Sequence, residues 1–319
     1  MSILRALLPL LLLSIVVGVH GAESEPALGE KEMLSLLDAM GGQDLQAGAV
    51  ARRRLISASA QIEPVLRELA HQQDRSLASA AAKVLEMRKA DAILVRGQKA
   101  LPTSKAFHAV ITFVLTRGEN RMTSSTEVKF HADGKRMVAD TVMVQGTERS
   151  TAHIVADGTT VWAETEVPNW PGQKIGFKQP QQAMEEGQLP NGADHPFKVF
   201  QHLRNDFVFY QLEEVQEEGR ACLVLSGSIA PEKAEAMLES AGEDVRAQAK
   251  QAALVACFKK TRVCLDKTDG RFMRLESGID PQGLRMTTTI DFIKTDVAWD
   301  DQLFKYTPSE NVRWAEGEP

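Results

Sequence analysis

The chain has 319 residues, with 37 lysines and arginines against 43 aspartates and glutamates and a formal net charge of -6. Nucleic acids and anionic lipid surfaces bind basic faces, so this charge balance argues against both as main partners. The three cysteines are too few for a disulfide scaffold. The length is sufficient for one large domain or two smaller ones with a hydrophobic core.

The N-terminus has the pattern of a secretory signal peptide. Residues 1–22 read MSILRALLPLLLLSIVVGVHGA, in which the basic Arg5 precedes an apolar run over residues 6–19 and then small residues. The run is short for a bilayer span, so we expect cleavage after Gly21 or Ala22. Loss of Arg5 leaves 36 basic residues against 43 acidic ones. An uncleaved membrane anchor is the alternative.

Residues 28–95 are predicted to be helical. Apolar residues recur there at helical spacing, Gly41-Gly42 is a stop signal, Asp44 a start signal, and Pro64 sits early in a following helix. The stretch from Asp44 to Leu85 resembles a HEAT-type helix pair. Such a pair packs against a neighbouring domain or binds a partner, and we favour packing.

From Lys105 onward the hydrophobic period changes from 3.6 to 2, which is typical of strands. Asp-Gly pairs in HADGK, VADGT and KTDGR separate alternating runs and favour tight hairpins. We predict nine or ten antiparallel strands between Lys105 and Tyr306, forming a strongly twisted sheet that curls. Helical insertions are predicted at 179–206 and 231–257. The fold class is therefore α+β, with a strongly curved antiparallel sheet whose concave face is covered by helices, preceded by the helical segment.

Three C-terminal segments carry a family resemblance: VCLDKTDGRFMRLES, LRMTTTIDFIKTD and DDQLFKYTPSENVRW. With the signal peptide and the Asp-Gly hairpins, they resemble the outer-membrane lipoprotein carrier superfamily, the LolA, LolB and RseB type of half-open β-barrel. The last segment places Asp301, Phe304, Tyr306 and Pro308 in the D-x-x-F-x-F-x-P phrase of that family. The resemblance covers residues 105–314.

The resemblance implies a soluble periplasmic protein that holds a lipoprotein acyl chain or another lipid in a half-barrel cavity. It implies a non-enzymatic carrier or chaperone; the alternative is an RseB-like sensory or protein-interaction module whose envelope partner binds the N-terminal helices. An apolar strand residue that faces inward is usually part of the core, and this is the alternative interpretation of each candidate lining residue. The candidates are Ile111, Phe113, Val128, Phe130, Trp162, Met286, Ile290 and Phe292.

We find no catalytic signature in the sequence and expect no cofactor and no metal. His195 and His202 are two helical turns apart, a spacing that suits exposed helix residues as well as ligands. In VCLDKTDGRFMRLES, a calcium loop starting at Asp266 fails because Thr268 and Gly270 replace its acidic or amide positions. This stretch therefore predicts a hairpin turn.

The cysteines allow a topological prediction. If residues 220–228 and 261–266 are antiparallel neighbours, Cys222 and Cys264 lie on adjacent strands and form a candidate disulfide. Cross-strand bridges are strained, so we favour adjacency over a bond. Cys257, at the end of the second helical insertion, is the remaining thiol.

Overall fold

In a computed structural model, the protein is described over residues 28–100, 106–133, 135–166, 173–180, 199–217, 219–242, 244–278 and 283–314. The chain divides into two compact units. The long-sheet unit comprises the described residues of Lys99–Val199 and Phe272–Pro319, and the mixed unit comprises residues 28–98 and Phe200–Arg271. The predicted signal peptide, residues 1–22, lies outside the described residues.

The described helices and strands are numbered here in chain order. The helices are α1 Glu30–Gly41, α2 Leu45–Ser57, α3 Glu63–Leu69, α4 Arg75–Ala100, α5 Val199–Asp206, α6 Pro231–Glu239 and α7 Val245–Phe258. The strands are β1 Phe107–Arg117, β2 Asn120–Phe130, β3 Arg136–Gln145, β4 Glu148–Asp157, β5 Thr160–Glu166, β6 Lys174–Pro180, β7 Phe207–Glu217, β8 Arg220–Ile229, β9 Thr261–Asp266, β10 Phe272–Ser277, β11 Leu284–Thr295 and β12 Val312–Trp314. Within these ranges, no helix has an apolar stretch of the length that a bilayer crossing requires.

The predicted fold class is confirmed, since the strands form a large, curved and unclosed antiparallel sheet. In the long-sheet unit the strand order is β12-β6-β5-β4-β3-β2-β1-β11-β10. Only the short β12 pairs parallel, against β6, among the pairings described in this unit. The predicted insertion at 179–206 falls mostly on residues 181–198, outside the described part, so helices covering the concave face stay a prediction.

The strand count was underestimated. Eleven strands are described between Lys105 and Tyr306, and β12 follows them. One strand not foreseen is β6, which lies in the segment NWPGQKIGFKQP. Proline and glycine normally mark turns, so a strand so close to them has a weak sequence signal.

The helices α1–α4 have the starts that the sequence predicts. The Asp44 carboxylate accepts hydrogen bonds from the backbone N–H groups of Gln46 and Ala47, both at 3.0 Å, and thereby caps α2. Pro64 lies in the first turn of α3, where its missing N–H costs no hydrogen bond. These helices share a core that includes Met33, Leu37, Leu55, Leu66 and Val84. The HEAT-type resemblance itself stays a prediction.

A partly buried arginine closes the C-terminal end of α2. Nη1 of Arg88, on α4, donates to the carbonyl oxygens of Leu55, Ile56 and Ala58 at 2.8 to 2.9 Å. The last carbonyls of a helix have no partner within the helix, and a cation is favoured at that end. Arg88 therefore joins α2 to α4 through hydrogen bonds at a partly buried site.

The predicted helix over 231–257 is wrong in its continuity. The structure has two helices, α6 and α7, and a turn over residues 240–242 follows α6. Gly242 adopts a positive φ of 57°, a left-handed conformation that stops a helix at little cost only for glycine. The Asp244 carboxylate then caps α7 by accepting from the N–H of Arg246 at 2.8 Å.

The KTDGR turn packs against α4 within the mixed unit. Gly270 has a φ of 78°, and its carbonyl oxygen would lie 2.7 Å from a Cβ placed on Gly97 of α4. The ring of Phe200 would be closer still, at 2.3 Å. Arg96 adds hydrogen bonds to the carbonyl oxygens of Lys267 and Thr268. A residue without a side chain at position 97 thus allows this turn to lie directly on the helix.

In the long-sheet unit, the C-terminal segment packs on the sheet around a buried carboxylate. Glu164 of β5 is 2% exposed. It accepts hydrogen bonds from the Tyr306 hydroxyl at 2.5 Å and the Ser309 N–H at 2.8 Å, and Lys174 Nζ lies 3.4 Å away. Burial alone would raise the pKa of Glu164, but the hydrogen bonds from Ser309, Tyr306 and Lys174 outweigh it and lower the pKa to about 2.

We predict that removing the Arg88 guanidinium destabilises the mixed unit. Arg88→Met keeps the apolar stem but leaves buried carbonyls of α2 without donors, which should lower the free energy of unfolding by roughly 2–4 kcal/mol. The control is Arg67→Met, because Arg67 forms only an exposed pair with Glu63 at 3.2 Å and its loss should cost about 0.5 kcal/mol or less. Urea unfolding of the two variants measures both values, and equal losses would contradict the capping role.

We predict that Glu164 makes stability depend on acid pH. Its pKa is about 2 in the folded protein against 4.5 for an unperturbed glutamate, so its stabilisation is fully present above about pH 5 and is lost as the pH falls toward 2. Glu164→Gln should therefore be less stable than the parent by roughly 2–3 kcal/mol at pH 7, with the gap closing near pH 2–3. Urea unfolding followed by tryptophan fluorescence across this range measures the gap. Glu148→Gln, an exposed change on β4, should show no such gap.

Candidate functional site

The strand registers place seven of the eight predicted lining residues on one face of the long-sheet unit. Ala109 pairs with both Val128 and Phe292, and Ile111 pairs with Ile290. Side chains alternate along a strand, so residues paired directly or two positions apart share a face. We call this the apolar face. Its predicted members are Ile111, Phe113, Val128, Phe130, Met286, Ile290 and Phe292, and the opposite face is called the polar face.

The prediction for Trp162 is wrong, because this residue lies on the polar face. Trp162 pairs with Val155, which pairs with Val138, which in turn pairs with Lys129. Its indole stacks on the Tyr306 ring at 4.9 Å with an interplanar angle of 5°, and Lys178 Nζ lies 4.6 Å from the indole. Trp162 therefore anchors the C-terminal segment and does not contribute to the apolar face.

One end of the apolar face is filled. The rings of Phe107 and Phe130 stack at 4.7 Å, and Phe292 meets Phe107 edge-on at 5.7 Å. Val128 is 0% and Phe130 1% exposed, which leaves no room beside them for even a water molecule. Val128 and Phe130 therefore pack as core residues in this structure, and the lining role predicted for them stays a prediction.

The other end of the apolar face is partly exposed. Ile111, Phe113 and Met286 are half-buried there, and Ile290 is 6% exposed. Two residues that the sequence analysis did not single out join them: Met122, which pairs with Leu115, and Met143 of β3. These five half-buried residues, Ile111, Phe113, Met122, Met143 and Met286, form what we call the half-exposed row.

Small polar residues lie between the apolar members of this row. Ser124 of β2 lies between Phe113 and Met143, because it pairs with both. The hydroxyls of Thr126 and Thr141 are buried and bond to each other at 2.9 Å, so neither leaves an unsatisfied polar group. The surface is therefore apolar in its long side chains and adaptable through its methionines, which have flexible, polarisable side chains.

A small cavity occurs separately, within the mixed unit. It has a volume of about 40 Å³, and Arg52, Met87, Leu94, Leu203 and Val208 contribute to its walls. That volume holds about three water molecules, whereas sites for drug-sized ligands occupy about 300–1,000 Å³. The cavity is too small for an acyl chain.

Cys222 and Cys264 lie on adjacent strands, as the topological argument predicts, but two residues out of register with each other. Cys222 of β8 and Cys264 of β9 are on adjacent strands, but Cys222 pairs with Asp266 and Cys264 with Val224. Neither forms a disulfide in the structure, so the candidate bridge stays a prediction. Burial raises the pKa of the Cys257 thiol to about 11.

The remaining sequence candidates have structural roles. The Asp266 carboxylate accepts from the Thr268 N–H at 2.7 Å and its carbonyl from the Gly270 N–H at 2.8 Å, which forms the predicted turn. His202 lies 3.2 Å from the Asp206 carboxylate on the same helix. His195 lies outside the described residues.

No protein-family model matches this chain, and no curated protein matches it. Solved structures match as folds. LprF from Mycobacterium bovis is 12% identical with a TM-score of 0.38 and covers 67% of this chain and 97% of its own. A LolA superfamily protein from Nitrosomonas europaea is 11% identical with a TM-score of 0.26, over 68% of this chain and 97% of its own. MucB is 15% identical with a TM-score of 0.32, over 69% of this chain and 63% of its own.

These identities and TM-scores concern the fold alone, so what the protein binds is argued below from its own residues. The resemblance drawn from the C-terminal motifs stays a prediction, beside which stands the low-scoring similarity to a solved LolA superfamily protein.

Proposed function

We propose that this is an exported envelope protein that binds a lipophilic ligand, a lipoprotein acyl chain or another lipid, on the apolar face. It acts as a non-enzymatic carrier or chaperone and uses no cofactor. The observation that carries the proposal is the half-exposed row, in which Phe113 and four aliphatic or thioether side chains lie on one face without being fully buried. The signal-peptide pattern of residues 1–22 supports export.

The composition of the row favours a flexible chain over a rigid, polar ligand. Methionine side chains adjust to irregular shapes, and Met122, Met143 and Met286 come from three different strands. Each methylene group that leaves water contributes about 0.8 kcal/mol. Burying roughly eight methylenes would contribute on the order of 6 kcal/mol, which corresponds to dissociation constants of tens of micromolar before other contacts are added.

The placement of the ionisable residues supports binding over catalysis. His108 contacts Glu127 at 2.8 Å and His153 contacts Asp140 at 2.7 Å. Both histidines lie on the polar face, with His108 next to Ala109 in β1 and His153 paired with Asp140. A ligand on the apolar face would therefore be separated from these acid–base pairs by the sheet itself.

We predict that a charge in the half-exposed row abolishes lipid uptake. Phe113→Asp should weaken binding of a fluorescent fatty acid at least tenfold, because a carboxylate would have to lose water when an acyl chain covers it. The matched control is Thr112→Asp, one residue away and on the polar face, which should bind as the parent does. Titration of the full chain, with circular dichroism to verify folding, measures both.

A milder variant covers the case in which Phe113→Asp does not fold. Met143→Gln preserves side-chain length and should weaken uptake severalfold without unfolding the sheet. Equal affinities for Phe113→Asp and Thr112→Asp would contradict the assignment of the site. No uptake, together with no lipid in native mass spectra of protein from its own envelope, would refute the proposed function.

A protein-interaction module is the second candidate. Three aliphatic side chains of the mixed unit are well exposed on helices: Val50 of α2 at 63%, Leu238 of α6 at 43% and Val245 of α7 at 75%. An envelope protein partner that packed on the mixed unit would bury these side chains, and burial of exposed aliphatic groups is favourable. This candidate predicts a division of labour between the two units.

We predict that Val50→Glu combined with Val245→Glu removes capture of such a partner and leaves fatty-acid uptake unchanged. Crosslinking in intact cells, followed by mass spectrometry, would reveal partners that are present with the parent and lost with the double variant. Glu239→Ala, a nearby polar change on α6, is the control. An unchanged set of crosslinked proteins would exclude this surface as the interface.

A further inference from the structure

Three strands of the mixed unit bring two thiols and a carboxylate together. Glu217 of β7 pairs with Arg220, and Arg220, Cys222 and Val224 alternate onto the same face of β8. Cys264 of β9 pairs with Val224, so it lies on that face as well. The two sulfurs and a Glu217 carboxylate oxygen all lie within 4.8 Å of one another.

The offset between the strands is unfavourable for a disulfide. Residues two positions out of register on neighbouring antiparallel strands have Cα atoms about 7–8 Å apart, and disulfides rarely span more than about 7 Å. Cys222 and Cys264 have this offset, since Cys222 faces Asp266. A bond between them would require the backbone to move.

The same separations suit a tetrahedral metal ion. With Zn–S bonds of about 2.3 Å, two thiolates on one zinc ion are about 3.8 Å apart, and a thiolate and a carboxylate oxygen about 3.6 Å apart. The Cys264 sulfur lies 3.4 Å from a Glu217 oxygen, and the Cys222 sulfur falls within the 4.8 Å limit. Small side-chain rotations are enough to reach the required geometry.

We propose that Glu217, Cys222 and Cys264 form a binding site for Zn²⁺. Two thiolates select a thiophilic ion, and the carboxylate favours divalent zinc over monovalent copper. Three protein ligands leave the fourth tetrahedral position for water or another ligand. This revises the expectation of no metal that the sequence suggested.

The chemistry of binding is a simple exchange. Each thiol loses its proton when its sulfur binds the ion, so one Zn²⁺ replaces two protons at the sulfurs. Cys222 is 0% and Cys264 4% exposed, so the two sulfurs would bind the ion from the buried side. Glu217 is partly exposed and lies at the end of β7, where the ion would enter.

The proposal is tested by titrating the full chain, purified with a non-coordinating reductant, with Co²⁺ and then Zn²⁺. We expect one Co²⁺ per chain with a near-ultraviolet band from thiolate–cobalt charge transfer, which Zn²⁺ displaces. The variant Cys257→Ser is the matched control and should retain the band. Because the chain has three cysteines, a band in that variant must arise from Cys222 and Cys264.

The ligand variants should lose affinity in a defined order. Cys222→Ser and Cys264→Ser should each abolish the band, and Glu217→Gln should retain it but weaken binding roughly tenfold or more. Since replacing a buried thiol can unfold the unit, the partly exposed Glu217→Gln keeps the test decisive. No band in the parent, loss of the band in Cys257→Ser, or unchanged affinity in Glu217→Gln would each overturn the proposal.

Discussion

Alternation of side chains across paired strands, with a register shift between His108 and Ala109 in the β1–β11 pair, is the constraint on which the long-sheet unit depends. Phe107 faces Phe130, Phe130 faces Met137, and Met137 faces Ala156 across successive antiparallel pairs. A slip of one residue in any of these pairs would bring residues such as Lys129 to the apolar face and expose the phenylalanines. The filled end, the half-exposed row and the packing of the C-terminal segment all depend on these registers.

The two faces of the sheet in this unit differ in how far other parts of the chain cover them. On the polar face, Phe304 is buried against Val138 and Val155, and Trp299 Nε1 donates to the Phe130 carbonyl at 2.8 Å. Glu164, with its hydrogen bonds to Tyr306 and Ser309, adds to the packing of the C-terminal segment on that face. On the apolar face the phenylalanine cluster is closely packed, and the half-exposed row beside it is only partly covered. A closely packed cluster next to adaptable side chains is partly preorganised for binding, which reduces the entropic cost of ordering the protein around a ligand.

How far the sequence predicts this site depends on how strongly the two faces of each strand differ in hydrophobicity. In β1, FHAVITFVL, the two phenylalanines both fall on the odd-numbered positions, so the sequence alone indicates which residues share the apolar face. In β3, RMVADTVMVQ, both parities are apolar, so Met143 could not be distinguished from Val142 or Val144 before the pairing was known. Trp162 was misassigned because its size outweighed its neighbours Glu164 and Glu166, although their parity places it on the polar face.

The thiol–carboxylate cluster shows a different limit. Cys222 and Cys264 could be assigned to adjacent strands from the sequence, because a single helical excursion separates them. Glu217 could not be added, since its place depends on the β7–β8 register, and one of several glutamates in QLEEVQEEGR has no distinguishing signal. Contacts among three strands depend on two strand registers at once, and each unknown register increases the number of possible side-chain neighbours.

The short strand β12 has a consequence for the protein's behaviour in concentrated solution. It pairs along only three residues with β6, and the Trp314 ring lies over Gly176, where an added Cβ would be 2.6 Å from it. An uncovered strand edge can recruit the edge of another molecule, and β6 carries Phe177 at 51% exposure. Proteolytic cleavage before Val312, with loss of β12, would therefore expose the edge of β6. Molecules could then pair through this edge and aggregate while the apolar face remained intact.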